Sequence, residues 1–238
     1  KEIVKAWKFF NGRTDYDHYY TKLLNPAAKY YHIEELLRAD FFDHHWTAPS
    51  EPLKSQTIVI GTTINPNIYK GLDLIYKTVK LLKNYNITWK IFGINEDRDV
   101  NKIVKKIMGI NKPDPSIKFY GPLDAGTLIN ELKTCHFFVH PSYIDNSPNS
   151  VCEAMLLGMP ILSSAVGGVN SLITHKVSGY LFNPYDAYEV AGLLIHLCNN
   201  YNGALQVAEK AKAIARERHA PQHILQTLNA MYTSVYNS

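Results

Sequence analysis

From Thr57 onward the chain alternates short apolar runs, bounded by glycine or proline, with longer stretches of helical spacing. TIVIG (57–61), TWKIFG (88–93), SIKFYG (116–121), CHFFVH (135–140), MPILSS (159–164) and GYLF (179–182) read as strands. Between them, Leu72, Ile75, Val79 and Leu82 form one stripe of a helix over 71–83. Val100, Ile103, Val104 and Ile107 recur at the i, i+3, i+4 and i+7 positions of the next. A short helix is predicted near 124–133 and another after Ser147. Residues 186–198, 204–217 and 222–236 close the chain as helices, the last with Ile224, Leu228, Met231, Tyr232 and Val235 facing inward. This alternation predicts an α/β fold, a Rossmann-like doubly wound parallel sheet covered on both faces. Such sheets bind ligands where loops leave the C-terminal strand ends. Loops 62–70, 93–97, 121–124, 140–148 and 164–170 are therefore the places to seek chemistry.

One of these loops leads into an unusual helix. With Ser147 as N-cap and Pro148 in the first helical position, every residue from Val151 to Leu157 is apolar except Glu153. Burying an unpaired carboxylate costs several kcal/mol or forces it to take up a proton, so something polar must meet Glu153. The backbone N–H groups of Asn149 and Ser150 open the same helix at its positive end, an arrangement suited to anions. Asp145 lies eight positions before Glu153 on the preceding loop, so both carboxylates can face one ligand. The plainer reading has Asp145 capping a turn and Glu153 paired with a nearby Lys or Arg. Gly167 and Gly168 follow Ser163 and Ser164 at the next strand end, either as a tight turn or as a place where backbone approaches phosphate. Lys70, opening the first helix with Gly71, is within reach of a phosphate or is simply a solvated lysine.

Composition narrows the class. A 46% hydrophobic content supports a sizeable core, and the +4 net charge comes from Lys and Arg interspersed with acids. No nucleic-acid stripe or polybasic membrane tail results. Cys135, Cys152 and Cys198 form no CxxC pair and sit in apolar elements, which reads as reduced, buried thiols in a cytosolic protein. No apolar run reaches the roughly 18 residues of a membrane span. His44, His45, His136 and His140 have no carboxylate or cysteine at ligand spacing, so no metal site is expected. The first 50 residues are crowded with aromatics and weakly periodic. With no initiating methionine, they read as part of a longer protein.

HPSYIDNSPNSVCEAMLLGMPILSSAVGGVNSLI (140–173), followed by SGYLFNP (178–184), resembles the group 1 glycosyltransferases, family 4 of the retaining enzymes with GT-B architecture. The resemblance runs from about Thr57 to the C-terminus, and NGRTDYDHYY and NPAAKYYHIEELLR look like closing segments of the N-terminal domain in relatives. It implies that residues 1–50 are a remnant of the N-terminal (acceptor) domain and linker. Residues 51–238 are then the nucleotide-sugar-binding domain, ending in a helix that crosses back to the N-terminal domain. It further implies that Asp145 (more often Glu in the family) contacts the transferred sugar and that Glu153 hydrogen-bonds the ribose. The diphosphate is met by Lys70, Asn149, Ser150, Gly167 and Gly168, with Gly61 and Asn146 beside it and Phe119 and Tyr120 near the base. Where the family places an arginine for the diphosphate, this chain has Thr62. Catalysis is thus expected from Asp145, Glu153 and Lys70. They would retain configuration by front-face attack, with no metal, the leaving phosphate accepting the proton of a glycan or lipid-linked acceptor. The implied setting is polysaccharide or glycolipid assembly at the cytoplasmic face of the membrane, with the 238-residue chain alone binding donor and transferring nothing. A non-catalytic nucleotide-sugar-binding module and a nucleotide-sugar epimerase are the alternatives.

Overall fold

The computed structural model describes residues 2–52 and 57–238. Part of the expected linker near 47–56 therefore lies outside the described residues. Six parallel strands form one sheet: β3 (Ile58–Thr63), β4 (Ile87–Phe92), β5 (Ile117–Gly121), β6 (Phe137–His140), β7 (Ile161–Ser164) and β8 (Tyr180–Phe182), in the order β5-β4-β3-β6-β7-β8. This is the doubly wound order, whose direction reverses between β3 and β6. Helices α4 (Leu72–Leu81), α5 (Asp99–Ile107), α6 (Ala125–Leu132), α7 (Asn149–Leu157) and α8 (Val169–Leu172) connect the strands, and α9 (Ala187–Asn199), α10 (Tyr201–Arg218) and α11 (Pro221–Tyr236) complete the chain. Strands as short as three to six residues suffice because both faces of the sheet are covered and nearly every position is buried.

The helical stripes are buried unequally. Leu72, Ile75, Val79 and Leu82 all lie in the core, but on α5 only Val100 and Val104 do, whereas Ile103 and Ile107 are exposed. Ile107 lines an open apolar groove with Ile68, Tyr69 and Tyr143, so the apolar arc of α5 is wider than the surface it packs on. On α11 only Ile224 is buried, and Tyr232, expected inward, faces solvent. This helix instead crosses back to the N-terminal segment, where Tyr31 and Ser234 share a hydrogen bond of 2.9 Å.

The weakly periodic N-terminal residues are structured. They form α1 (Glu2–Ala6), β1 (Phe9–Gly12), α2 (Asp15–Leu24), β2 (Lys29–His32) and α3 (Asp40–Asp43), with β1 and β2 a separate parallel pair. Thr14 caps α2 through the Asp17 N–H, and the Asp17 carboxylate returns to the Thr14 N–H, a reciprocal capping box. Packing does not divide near residue 50, because Leu37, Phe41 and Trp46 are buried in the same core as the sheet. The Trp46 backbone N–H binds Leu157 O at the end of α7, and its indole N–H binds Cys135 O, each at 2.9 Å. All three cysteines are free and buried, and burial pushes each thiol up to about 12.

Candidate active site

A cavity of about 490 Å³ opens at the reversal point of the sheet. Its walls are the end of β3 and the following loop (Thr63, Ile64, Asn65, Lys70), Gly93 after β4, His140 at the end of β6 with Asp145 beyond it, and Ser147 to Ser150 at the start of α7. Arg13, from the turn between β1 and α2, closes one side. The loops expected to carry chemistry thus meet at one place.

Asp145 organises this cavity. Its Oδ2 accepts from Lys70 Nζ at 2.7 Å and from His140 Nε2 at 3.0 Å, and its Oδ1 accepts from the Asn146 N–H at 3.1 Å. Burial pushes the carboxyl up, but the hydrogen bond from His140 and the Lys70 ammonium prevail and hold it at about 2. His140 is fully enclosed, and burial depresses its basicity against the opposing pull of Asp145. A neutral imidazole then carries its proton on Nε2, toward Asp145, while Nδ1 accepts from the Ser163 hydroxyl at 2.9 Å. His140, read only as a poor metal ligand, is therefore a support for Asp145. No sequence spacing signalled this, because Ser163 comes from the neighbouring strand.

Glu153 is met by a different group. Arg38, just before α3, donates Nε to Oε1 at 2.7 Å and Nη2 to Oε2 at 2.8 Å, a bidentate fork. Glu153 is 6% exposed and does not line the cavity. The plainer of the two readings of Glu153 describes its contacts.

Other expected site residues also sit elsewhere. Thr62 is fully buried. Its hydroxyl donates to Val139 O and accepts from the Trp89 indole N–H, both at 2.8 Å, so it stitches β3 to its neighbours. Gly61 packs against Leu132 and Cys135. Gly167 (φ +49°) and Gly168 have no room for a side chain because the Asp145 and Asn146 carbonyls, together with Thr14, press on them. Their backbone meets protein at the points where phosphate was expected. Asn146 accepts from the Thr14 hydroxyl at 2.6 Å and donates to Asp17 at 2.9 Å. Phe119 and Tyr120 lie on β5 outside the cavity lining, with Tyr120 against Phe92 and beneath Lys90. Pro148 is extended (φ −70°, ψ 110°) and serves as the N-cap of α7, one residue later than predicted and without a side-chain cap. That leaves the N–H groups at Asn149 and Ser150 facing the cavity mouth.

His136 is structural: its Nδ1 accepts from the Val59 N–H and its Nε2 donates to Ser50 O. His44 bonds to Asp40 O, and His45 faces Lys212.

A doubly wound sheet with a cation, a carboxylate and a helix N-terminus at its reversal point is an arrangement suited to an anionic ligand. The family model for "Glycosyl transferases group 1" matches residues 48–217, and the chain belongs to this family. It is 28% identical over 152 residues to an uncharacterised glycosyltransferase of Haemophilus influenzae, covering 63% of this chain and 42% of the relative. It is 28% identical over 163 residues to the amylovoran biosynthesis glycosyltransferase AmsK of Erwinia amylovora, covering 65% and 39%. The chain spans about two-fifths of the length of these relatives. The fold is that of GT-B glycosyltransferases. Sucrose-phosphate synthase from Thermosynechococcus elongatus superposes with a TM-score of 0.81 at 15% identity, over 99% of this chain and 60% of that one. Anabaena HepE in complex with UDP and glucose gives 0.76 at 19%, over 98% and 65%. Among the described residues no helix is long and apolar enough to cross a membrane.

Proposed function

We propose that the cavity binds a nucleotide-diphosphate sugar and that the chain supplies the donor-binding half of a retaining hexosyltransferase. The observation that carries this reading is the Lys70–Asp145 pair, set beside the α7 N-terminus at the sheet's reversal point. Breaking an anomeric bond builds negative charge on the leaving diphosphate. Lys70 and the N–H groups of Asn149 and Ser150 are donors for that charge, and fixed donors lower the barrier without a metal ion. Asp145, kept ionised and oriented by His140, would contact the transferred sugar. The ribose contact that the resemblance implies for Glu153 would need its carboxylate, which does not line the cavity and is forked by Arg38, to be shared with or released to the ligand.

In this reading residues 1–50 belong with an acceptor-binding domain, and the acceptor is a glycan or lipid-linked sugar at the inner membrane face. The relative named for amylovoran biosynthesis supports a polysaccharide product. The test is a calorimetric titration with UDP, GDP, ADP and their sugar conjugates, run beside Asp145→Asn and Arg38→Met. Saturable binding of one sugar nucleotide, weakened by Asp145→Asn, is expected. Binding of none of them sinks the reading. The buried Thr62 favours a second reading, a non-catalytic binding module, for which the complete protein would bind donor and turn over no acceptor.

A further inference from the structure

The β3 end offers no arginine to the cavity, since Thr62 is sealed in the core and Lys70 is already neutralised by Asp145. A diphosphate entering here would bring at least two negative charges against one helix N-terminus and a compensated lysine. A second cation nevertheless reaches the cavity, from a distant part of the chain. Arg13 lines it, donating Nη1 to Asn149 Oδ1 at 3.1 Å and pairing with the Glu35 carboxylate. We infer that Arg13 is the diphosphate-binding arginine of this site, standing in from the N-terminal segment for the residue that the loop after β3 lacks. The inference rests on the donor reading above.

Three features fit Arg13 to this role. Its backbone is pinned to the loop that carries Asp145: the Arg13 N–H donates to Asp17, Asp17 accepts from Asn146, and the Thr14 hydroxyl donates to Asn146. Its guanidinium has five donors in a planar fork, and both contacts described use Nη1 alone. Its counter-ion Glu35 is 44% exposed, so a phosphate can share or displace it without stranding a buried carboxylate.

The test is calorimetry on the 238-residue chain with UDP, GDP, ADP, their nucleosides and inorganic pyrophosphate, comparing parent, Arg13→Gln, Arg13→Lys and Glu35→Gln. Arg13→Gln is expected to weaken nucleoside diphosphate and pyrophosphate binding by at least about tenfold while leaving nucleoside affinity unchanged. Arg13→Lys should recover part of the loss, since it keeps the charge and loses the fork. Glu35→Gln removes the competitor and should tighten diphosphate binding, a readout available even if Arg13→Gln proves unstable. Diphosphate affinity unchanged in Arg13→Gln, or lowered in Glu35→Gln, overturns the assignment and leaves the donor reading standing. A parent chain that binds neither pyrophosphate nor any nucleoside diphosphate ends both.

Discussion

Asp145 and Glu153 are eight residues apart and lie in one short stretch of chain, yet they face different partners. Asp145 looks into the cavity, and its partners Lys70 and His140 come from the parallel-sheet unit itself. Glu153 looks the other way, and its partner Arg38 comes from a segment 115 residues earlier. The first carboxylate lines a cavity, and the second is bound to a distant part of the chain. Family resemblance treats the two as a matched pair, whereas their surroundings assign them different energetic roles.

The sharpest way to break this contrast is to put the family's arginine where the resemblance expects it. Thr62→Arg would bury an unpaired guanidinium in a filled core, at a cost of roughly 5 kcal/mol or more, and should yield no soluble folded protein. A folded, tighter-binding variant would show that position 62 can reach the cavity. Asp145→Asn comes next. In the complete protein it should lower turnover by about 10²- to 10³-fold, equivalent to roughly 3–4 kcal/mol, and also lower the urea midpoint, because Lys70 and His140 lose the partner they hold ionised. Arg38→Ala should act on stability first. It strands the enclosed Glu153 and should lower stability by roughly 2–4 kcal/mol, toward the small end because Arg38 is 42% exposed, and Glu153→Gln added to it should restore part of the loss.

Acid provides a comparison of the two regions in one experiment. Burial depresses His140, beside Asp145, and holds His219, whose Nδ1 donates to Glu35 O, at about 4. Both stay neutral in the folded chain while the unfolded chain takes up protons below about pH 6.5. Their contribution is complete above that pH and is lost as pH falls below it, for His219 down to about 4 and by roughly 2–3 kcal/mol. Urea unfolding at pH 7 and pH 4.5 measures the drop, and His219→Gln should flatten it. The smallest effect is expected at the exposed Arg13–Glu35 pair, where Glu35→Gln should change stability by less than about 1 kcal/mol.

The parts legible in the sequence were those with local causes. Apolar spacing located the six strands and all of the helices between them but the short α8, while loop position singled out Lys70 and Asp145 and the helix start singled out Asn149 and Ser150, all of which line the cavity. The Thr14–Asp17 capping box was a local signal for α2 as well, but the aromatic background around it hid the helix. Arg38 and Arg13 had no local signal. Their partners lie 115 and 136 residues away, and no periodicity connects them. Thr62 was misread because the strand ends two residues later than expected, which carries Thr62 into the core and leaves Thr63 lining the cavity. Gly167 and Gly168 were ambiguous from the start, since a glycine pair looks the same whether it admits phosphate or another loop.

The docking of the N-terminal segment also bears on how the chain is made. Residues 8–46 leave the ribosome well before Asn146, Glu153, Ser171 and His219, which anchor them and emerge more than a hundred residues later. Every strand of the main sheet is parallel and joined by a crossover, the topology that folds slowly because its contacts are non-local. An aromatic-rich stretch must therefore wait, unpaired, until the last helices are synthesised. This is the region where a nascent chain would be bound by chaperones, and where slowing translation after α3 would prolong the interval of exposure to proteases.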